Sequence, residues 1–279
     1  MPAMERSLVR SYSIKRLSNG ASERILDTVA AEEPLEIRIQ YWFKDARLSR
    51  SLALAMRTPG HDRELAVGFL VSEGVVRKQS DLTGVRALGP DPSDEIVAEL
   101  AHEVDFESWR VERTSFVGAS CGVCGKRSRD VLAANVPPRV PDDFRVAPSL
   151  IEQMPGLLRG RQAGFAQTGG LHAAALFDSA GRLDAVFEDI GRHNALDKVI
   201  GSAFLKGRLP LRESVLFLSS RGSFELVQKA IMAGAPVLAT VGGPSSLAIE
   251  AARDYGLTLL GFVREKRFNI YAGEWRINS

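Results

Sequence analysis

The stretch from Ser214 to Val263 constrains the fold more than any other part of this chain. Three apolar runs, "SVLFLSS", "PVLATV" and "LTLLGFV", alternate with segments of helical spacing. Those segments predict helices over about 224–234 and 245–255, and another is expected over about 193–206. Strands alternating with helices of that length form βαβ units and a largely parallel sheet. Just upstream, "LHAAALFD" and "LDAVFEDI" flank the turn "SAGR" and predict a strand pair. "IEQMPGLLRGRQAGFAQTG", before them, opens with a helix.

The N-terminal half follows a different pattern. Residues 1–33 read as a mobile arm. "PLEIRIQYWFKDARLSRSLALAMRT" predicts a hairpin, with Ile37, Ile39 and Tyr41 on one side and "KDAR" as its turn. "PGHDRELAVGFLVSEGVV" predicts a helix capped by Asp62, with Leu65, Phe69 and Leu70 at helical spacing. "DEIVAELAHEV" and "SWRVERTSFV" are short strand candidates. The expected division is therefore an arm (1–33), a small α+β domain (34–119), a cysteine loop and linker (120–146) and an α/β domain (147–279). Proline and polar residues in "VPPRVPDDFRVAPS" mark the linker.

Composition narrows the function. Apolar residues are 45% and charged residues 25% of the 279, ordinary for a globular protein with a sizeable core. A formal charge of +2 is too near neutral to imply general nucleic-acid binding. The first twenty residues carry charges throughout, so no export signal is expected, and no run is long and apolar enough to predict a membrane span. With two cysteines no disulfide framework is possible, and the chain reads as cytoplasmic with reduced thiols.

Four strands of the α/β part end in loops rich in glycine, serine or charge: "FEDIGRHN", "SSRGS", "VGGPSS" and "REKRFN". In an open α/β sheet, ligands bind beyond the carboxyl ends of the strands. Helices opening at Ser223 and Ser245 would offer free backbone N–H groups to an anion such as pyrophosphate. Gly222, Gly242 and Gly243 would let it approach closely, and Arg221, Arg264 and Arg267 could add charge-assisted bonds. The alternative is that glycine and serine only build turns and caps. His172, in an apolar strand, and His193, opening a helix, are equally compatible with structural roles. His61 and His102 read as surface residues, Asp189 as a possible cap, and Asp197 with Lys198 as a possible solvated pair.

Both cysteines, Cys121 and Cys124, lie in "SCGVCGKRSRD". As zinc ligands they would supply two of four, with only the distant His172 and His193 to complete a site, so no metal is expected. The zinc deaminase signature fails: Ser120 precedes the first cysteine, and no His-x-Glu lies upstream. A thioredoxin-like pair would open a helix, whereas Gly118, Gly122 and Gly125 suit a flexible loop. A fourth use is a thiolate that carries sulfane sulfur as a persulfide. Lys126, Arg127 and Arg129 would favour its ionised form. Burial as small hydrophobes is the bland alternative, ill suited to a polar, glycine-rich loop.

"CGVCGK", "TGGLHAAAL", "EDIGRHNALDKVIG", "SSRGSFELVQKA", "GPSSLAIEAARDYGLTLLGFVR" and "FNIY" stand in the order seen in the formate dehydrogenase accessory sulfurtransferases, the FdhD/NarQ family. The chain resembles that family over roughly residues 34–275. Two loops depart from its form: Arg221 and Gly222 are transposed in "SSRGSFE", and "VGGPSSLA" differs from the common Ala-Pro-Thr/Ser-Ser-Leu-Ala form. The resemblance implies a C-terminal domain of cytidine-deaminase type, with a mixed, mostly parallel sheet and no zinc. It implies a homodimer that takes sulfur from a cysteine desulfurase as a persulfide on Cys121, with Cys124 supporting or resolving. The sulfur would pass to the molybdenum cofactor in its bis-guanine-dinucleotide form, which formate dehydrogenase requires. The resemblance places the cofactor on Leu260, Gly261, Phe262, Val263, Arg264 and Glu265, and binding of GDP as a fragment is expected there. Gly169, His172, His193, Arg221, Ser223 and Ser245 are further candidates around it. The competing expectation is a chaperone that holds the cofactor without transferring sulfur.

Overall fold

The computed structural model describes residues 8–89, 93–106 and 142–278. The chain opens with a hairpin of β1 (Val9–Ser18) and β2 (Ala21–Ala30), where the sequence reading has an arm. Its turn is Asn19–Gly20, with φ of 50° and 80°. An Asn-Gly pair in the left-handed region makes the tight turn whose twist matches paired strands. That dipeptide was the available signal.

Next come β3 (Glu33–Phe43), β4 (Ala46–Arg57), α1 (Asp62–Ser72), β5 (Leu82–Leu88) and β6 (Glu95–Leu100). They build a four-stranded sheet in the order β4-β3-β6-β5. β3 alternates strictly, burying Leu35, Ile37, Ile39 and Tyr41. β5 escaped the sequence reading because it is a half-buried edge strand with weak alternation. Asp62 is not the cap of α1. His61 precedes the helix at φ 58°, and the Asp62 carboxylate instead takes a two-point bond from the buried Arg57, at 2.8 and 2.9 Å. The strand expected at "SWRVERTSFV" lies outside the described residues.

The C-terminal part contains α2 (Pro148–Arg159), α3 (Ala163–Thr168), β7 (His172–Asp178), β8 (Leu183–Asp189) and α4 (Arg192–Leu205). It continues with β9 (Ser214–Leu218), α5 (Phe224–Met232), β10 (Val237–Thr240), α6 (Ser246–Asp254), β11 (Thr258–Arg264) and β12 (Arg267–Ala272). The six strands order as β12-β11-β10-β9-β7-β8. β8, β9, β10 and β11 point one way, and β7 and β12 the other. β12 was expected as loop; Arg267 pairs back onto Arg264 across a tight reversal.

Strand alternation sends the two faces to different helices. Ala173, Ala175, Phe177, Val215, Phe217 and Leu260 pack under α2 through Ile151, Met154 and Leu158. Ala174, Leu176, Leu216, Leu218 and Leu259 face the core shared with α4, α5 and α6. That second core also takes in Ile39, Tyr41 and Leu52 of the N-terminal sheet, through α1. α1 is buried on nearly every side, as expected for a helix held between two layers. It crosses α4 at glycines: a Cβ on Gly68 would sit 1.8 Å from the Asp197 carbonyl oxygen, and one on Gly201 would sit 1.9 Å from that of Glu64.

Candidate functional site

β9, β10 and β11 end on one edge of the six-stranded sheet, and the reversed β7 begins there with His172. The loops after β9 and β10 are joined. Gly222 N–H donates to the Gly243 carbonyl at 3.2 Å, and Ser245 N–H donates to that of Gly222 at 3.0 Å. α5 and α6 therefore start side by side. The Ser245 Oγ accepts from Ala248 N–H, whereas the Ser223 Oγ donates to Glu225 at 3.1 Å. On the neighbouring strand, a bulge between Gly261 and Arg264 puts Phe262 at φ 53°. A bulky residue in that region stores strain. The Phe262 ring lies against Gly243, where an added Cβ would approach it to 2.7 Å, and 45% of Phe262 stays exposed.

Beside these loops, on the α2 face, is a cavity of about 490 Å³. Leu158, Phe165, Leu171, Phe217, Val241 and Val263 give it an apolar lining, and Arg159, Gln162, His172, Ser219 and Arg264 bring polar groups. Among the described residues, no carboxylate lines it. Arg264 is held in place, donating from Nη1 to the carbonyls of Val241 at 2.7 Å and Val263 at 2.8 Å. Burial, then the nearby Arg192 and His193, push the His172 imidazole below its ordinary pKa, towards the neutral form. The chemistry favoured here is an anion joined to an apolar or planar body.

The segment "EDIGRHNALDK" divides between scaffold and edge. Glu188 accepts from the N–H groups of Gly164 and Phe165, both at 2.8 Å, and so caps α3. Asp189, fully buried, pairs with Lys198 at 2.7 Å and accepts from Gly191 N–H, Asn194 and Thr58 N–H. Asp197 and Lys198 are not a solvated pair. Both are buried, and Asp197 binds Lys229 at 2.8 and 2.9 Å and the Ser72 hydroxyl at 2.7 Å. Burial raises the Asp197 carboxyl, with Lys229 and Ser72 opposing. These bonds fasten the β4–α1 connection and α1 to α4. Arg192 and His193 turn towards the edge. His193 Nε2 lies 3.3 Å from the Glu225 carboxylate. His193 first, with Ser223 and Arg192 adding to it, outweighs burial and lowers the Glu225 carboxyl to about 2.

The structure thus brings Gly169, His172, Val263 and Arg264 into one cavity, with Phe262, Arg221, Ser223 and Ser245 on the adjoining loops. Leu260 is buried among the strands, Gly261 packs on Pro244 and Tyr271, and Glu265 lies in the exposed reversal before β12. Cys121 and Cys124 lie outside the described residues. Sequence reasoning missed Arg159, Gln162 and Arg192. Arg192 adjoins the histidine that was weighed, but nothing local marks the other two, because a strand 100 residues on completes their surroundings. Among the described residues no group of three or more His, Cys, Asp or Glu side chains is placed to hold a metal ion. None of the helices described is long and apolar enough to cross a membrane.

Residues 30–278 match the FdhD/NarQ family. A protein of Streptomyces coelicolor named sulfur carrier protein FdhD is 46% identical over 275 residues, covering 94% of this chain and 93% of its own. Proteins of the same name from Mycobacterium tuberculosis and Sulfolobus acidocaldarius are 46% and 38% identical, over 90% and 97% of this chain and 92% and 99% of theirs. The fold matches a crystal structure from Desulfotalea psychrophila, described as a formate dehydrogenase accessory protein, with a TM-score of 0.76 at 23% identity, covering 98% of this chain and all of that one. A family match spanning nearly the whole fold, with relatives at this level of identity, places the chain in the FdhD/NarQ family.

Proposed function

We propose that this protein is a sulfur carrier that serves a formate dehydrogenase, with Cys121 as the carrying thiol. The observation that supports it is the 46% identity, over 94% of the chain, to a protein named a sulfur carrier. The Cys121 thiolate attacks the outer sulfur of a cysteine desulfurase persulfide. The S–S bond there breaks, the desulfurase cysteine leaves as thiolate, and a persulfide forms on Cys121. The basic residues Lys126, Arg127 and Arg129, next in sequence, favour the ionised nucleophile.

The acceptor in this reading is the bis-guanine-dinucleotide molybdenum cofactor, handled as cargo at the carboxyl edge of the six-stranded sheet. Its phosphates suit the acid-free cavity with Arg159 and Arg264, and the neighbouring helix starts at Ser223 and Ser245. For delivery, the Cys124 thiolate attacks the inner sulfur. The Cys121–Cys124 disulfide forms, the outer sulfur leaves as hydrosulfide to the cofactor, and a dithiol reductant restores both thiols.

Activation of formate dehydrogenase in an extract lacking its accessory protein tests this. Cys121→Ala, folded by circular dichroism, is expected to abolish activation, and Cys124→Ala to reduce it less, because the dithiol reductant can then attack the Cys121 persulfide in place of Cys124. Full activation by Cys121→Ala would instead favour a chaperone that only holds the cofactor.

A further inference from the structure

The β1–β2 hairpin has two faces that handle charge differently. Alternation puts Tyr12, Ile14 and Arg16 of β1 on one face, with Asp27, Ile25 and Glu23 opposite them in register. There Ile14, Ile25 and Asp27 are half-buried, Arg16 stands across from Glu23, and Arg10 pairs with Glu33. The other face sets exposed Lys15 directly opposite exposed Arg24, and none of its residues is acidic. Like charges placed opposite one another weaken a sheet. Leu26, across from Ser13, and Leu17, across from Ser22, flank the two cations. At 78% and 72% they are the most exposed large apolar side chains among the described residues. A two-stranded ribbon has little stability to spare, so this face does not serve the hairpin itself. Its position is informative too. β2 packs on α3 and ends at the rim of the cavity, where a Cβ on the exposed Gly170 would lie 3.9 Å from the Ala30 side chain.

We propose that the Lys15–Arg24 face of this hairpin docks the formate dehydrogenase that receives the cofactor, against an acidic patch of that enzyme bordered by apolar side chains. Complementary charge orients the encounter, and the two leucines supply apolar contact on either side of it. Two cations are too few for a nucleic-acid backbone or an anionic membrane, which are held by clusters of about four or more. The choice of enzyme rests on the sulfur-carrier reading: a carrier meets the protein it serves on the side where its cargo leaves, and the hairpin stands at that rim.

Biolayer interferometry of the full chain on immobilised, cofactor-free formate dehydrogenase tests this. The wild type is expected to bind, more weakly as salt is raised. Reversing both charges, Lys15→Glu with Arg24→Glu, should weaken binding about tenfold and flatten its salt dependence. Lys15→Glu alone puts opposite charges across the ribbon and so firms the hairpin. It should still weaken binding, which a merely unfolded hairpin would not explain. Persulfide formation on Cys121 by a cysteine desulfurase should be unchanged in both variants. Equal affinity of the wild type and the doubly reversed variant would overturn the docking face. So would a reversed variant that keeps its affinity for the enzyme but loses persulfide formation, self-association in sedimentation, or binding to phosphatidylglycerol vesicles. Those results would give the face to the desulfurase, a second copy or a membrane. A wild type that activates formate dehydrogenase without binding it here overturns the docking face alone, whereas one that neither binds nor activates it overturns the carrier reading as well.

Discussion

The α1–α4 contact and the carboxyl edge of the six-stranded sheet are both rich in charge, and they treat it in opposite ways. At the contact, Asp189 meets Lys198, Asp197 meets Lys229, and Ser72 and Thr58 complete the bonding. At the edge, Arg159 and Arg264 line a cavity where, among the described residues, no carboxylate is found. A polar group satisfied within the chain contributes to the fold, whereas one left open is available to a ligand. The family's most recognisable segment, "EDIGRHNALDK", falls mainly on the first side of that division. Sequence prominence therefore did not locate the cavity at the edge.

The largest effect should come from unpairing the contact. Asp197→Ala leaves Lys229 buried without its counter-charge, which costs about 3–5 kcal/mol in comparable pairs. Urea unfolding would measure it, and a loss below about 1 kcal/mol would mean that the contact is no scaffold. Gly201→Ala probes the same contact through shape. Its Cβ would meet the Glu64 carbonyl at 1.9 Å, so α1 and α4 must separate, at a cost of about 1–3 kcal/mol or more. Neither substitution touches a residue lining the cavity.

Arg264→Ala should do the reverse. GDP affinity is expected to fall about tenfold, while stability changes by about 1 kcal/mol or less. Unchanged GDP affinity in calorimetry would move the ligand away from β11. The smallest effect concerns Glu225, whose carboxyl is lowered from 4.5 to about 2, chiefly by His193. Because the folded value is the lower one, its contribution to stability is complete above about pH 4.5 and is lost as the pH falls towards 2. Carboxyl NMR should show that low value in the wild type and a rise towards 4.5 in His193→Ala. Equal values in both proteins would remove His193 as the cause.

Much of the fold was legible because strand alternation and helix spacing are local properties. β9, β10 and β11, and the helices between them, lie where the apolar runs predict. The β1–β2 hairpin has only Asn19–Gly20 as its local signal, and the charges of β12 resemble those of a loop. Of the candidate site, His172 and Arg264 were found from their strand ends. Gln162 and Arg159 were not, since what marks them is their place in a cavity, and that is a property of three-dimensional surroundings. Asp197 and Lys198 misled for the same reason: adjacent opposite charges resemble a solvated pair until α1 and α5 close over them.

The proposed function stands or falls on whether Cys121 carries sulfur. Intact-mass spectrometry of the reduced protein, after incubation with a cysteine desulfurase and free cysteine, tests it most directly. The expected result is the mass of one added sulfur atom, mapped to Cys121 by peptide analysis, removed by a dithiol and absent from Cys121→Ala. No added sulfur on the wild type, under conditions where the desulfurase itself holds a persulfide, would contradict it.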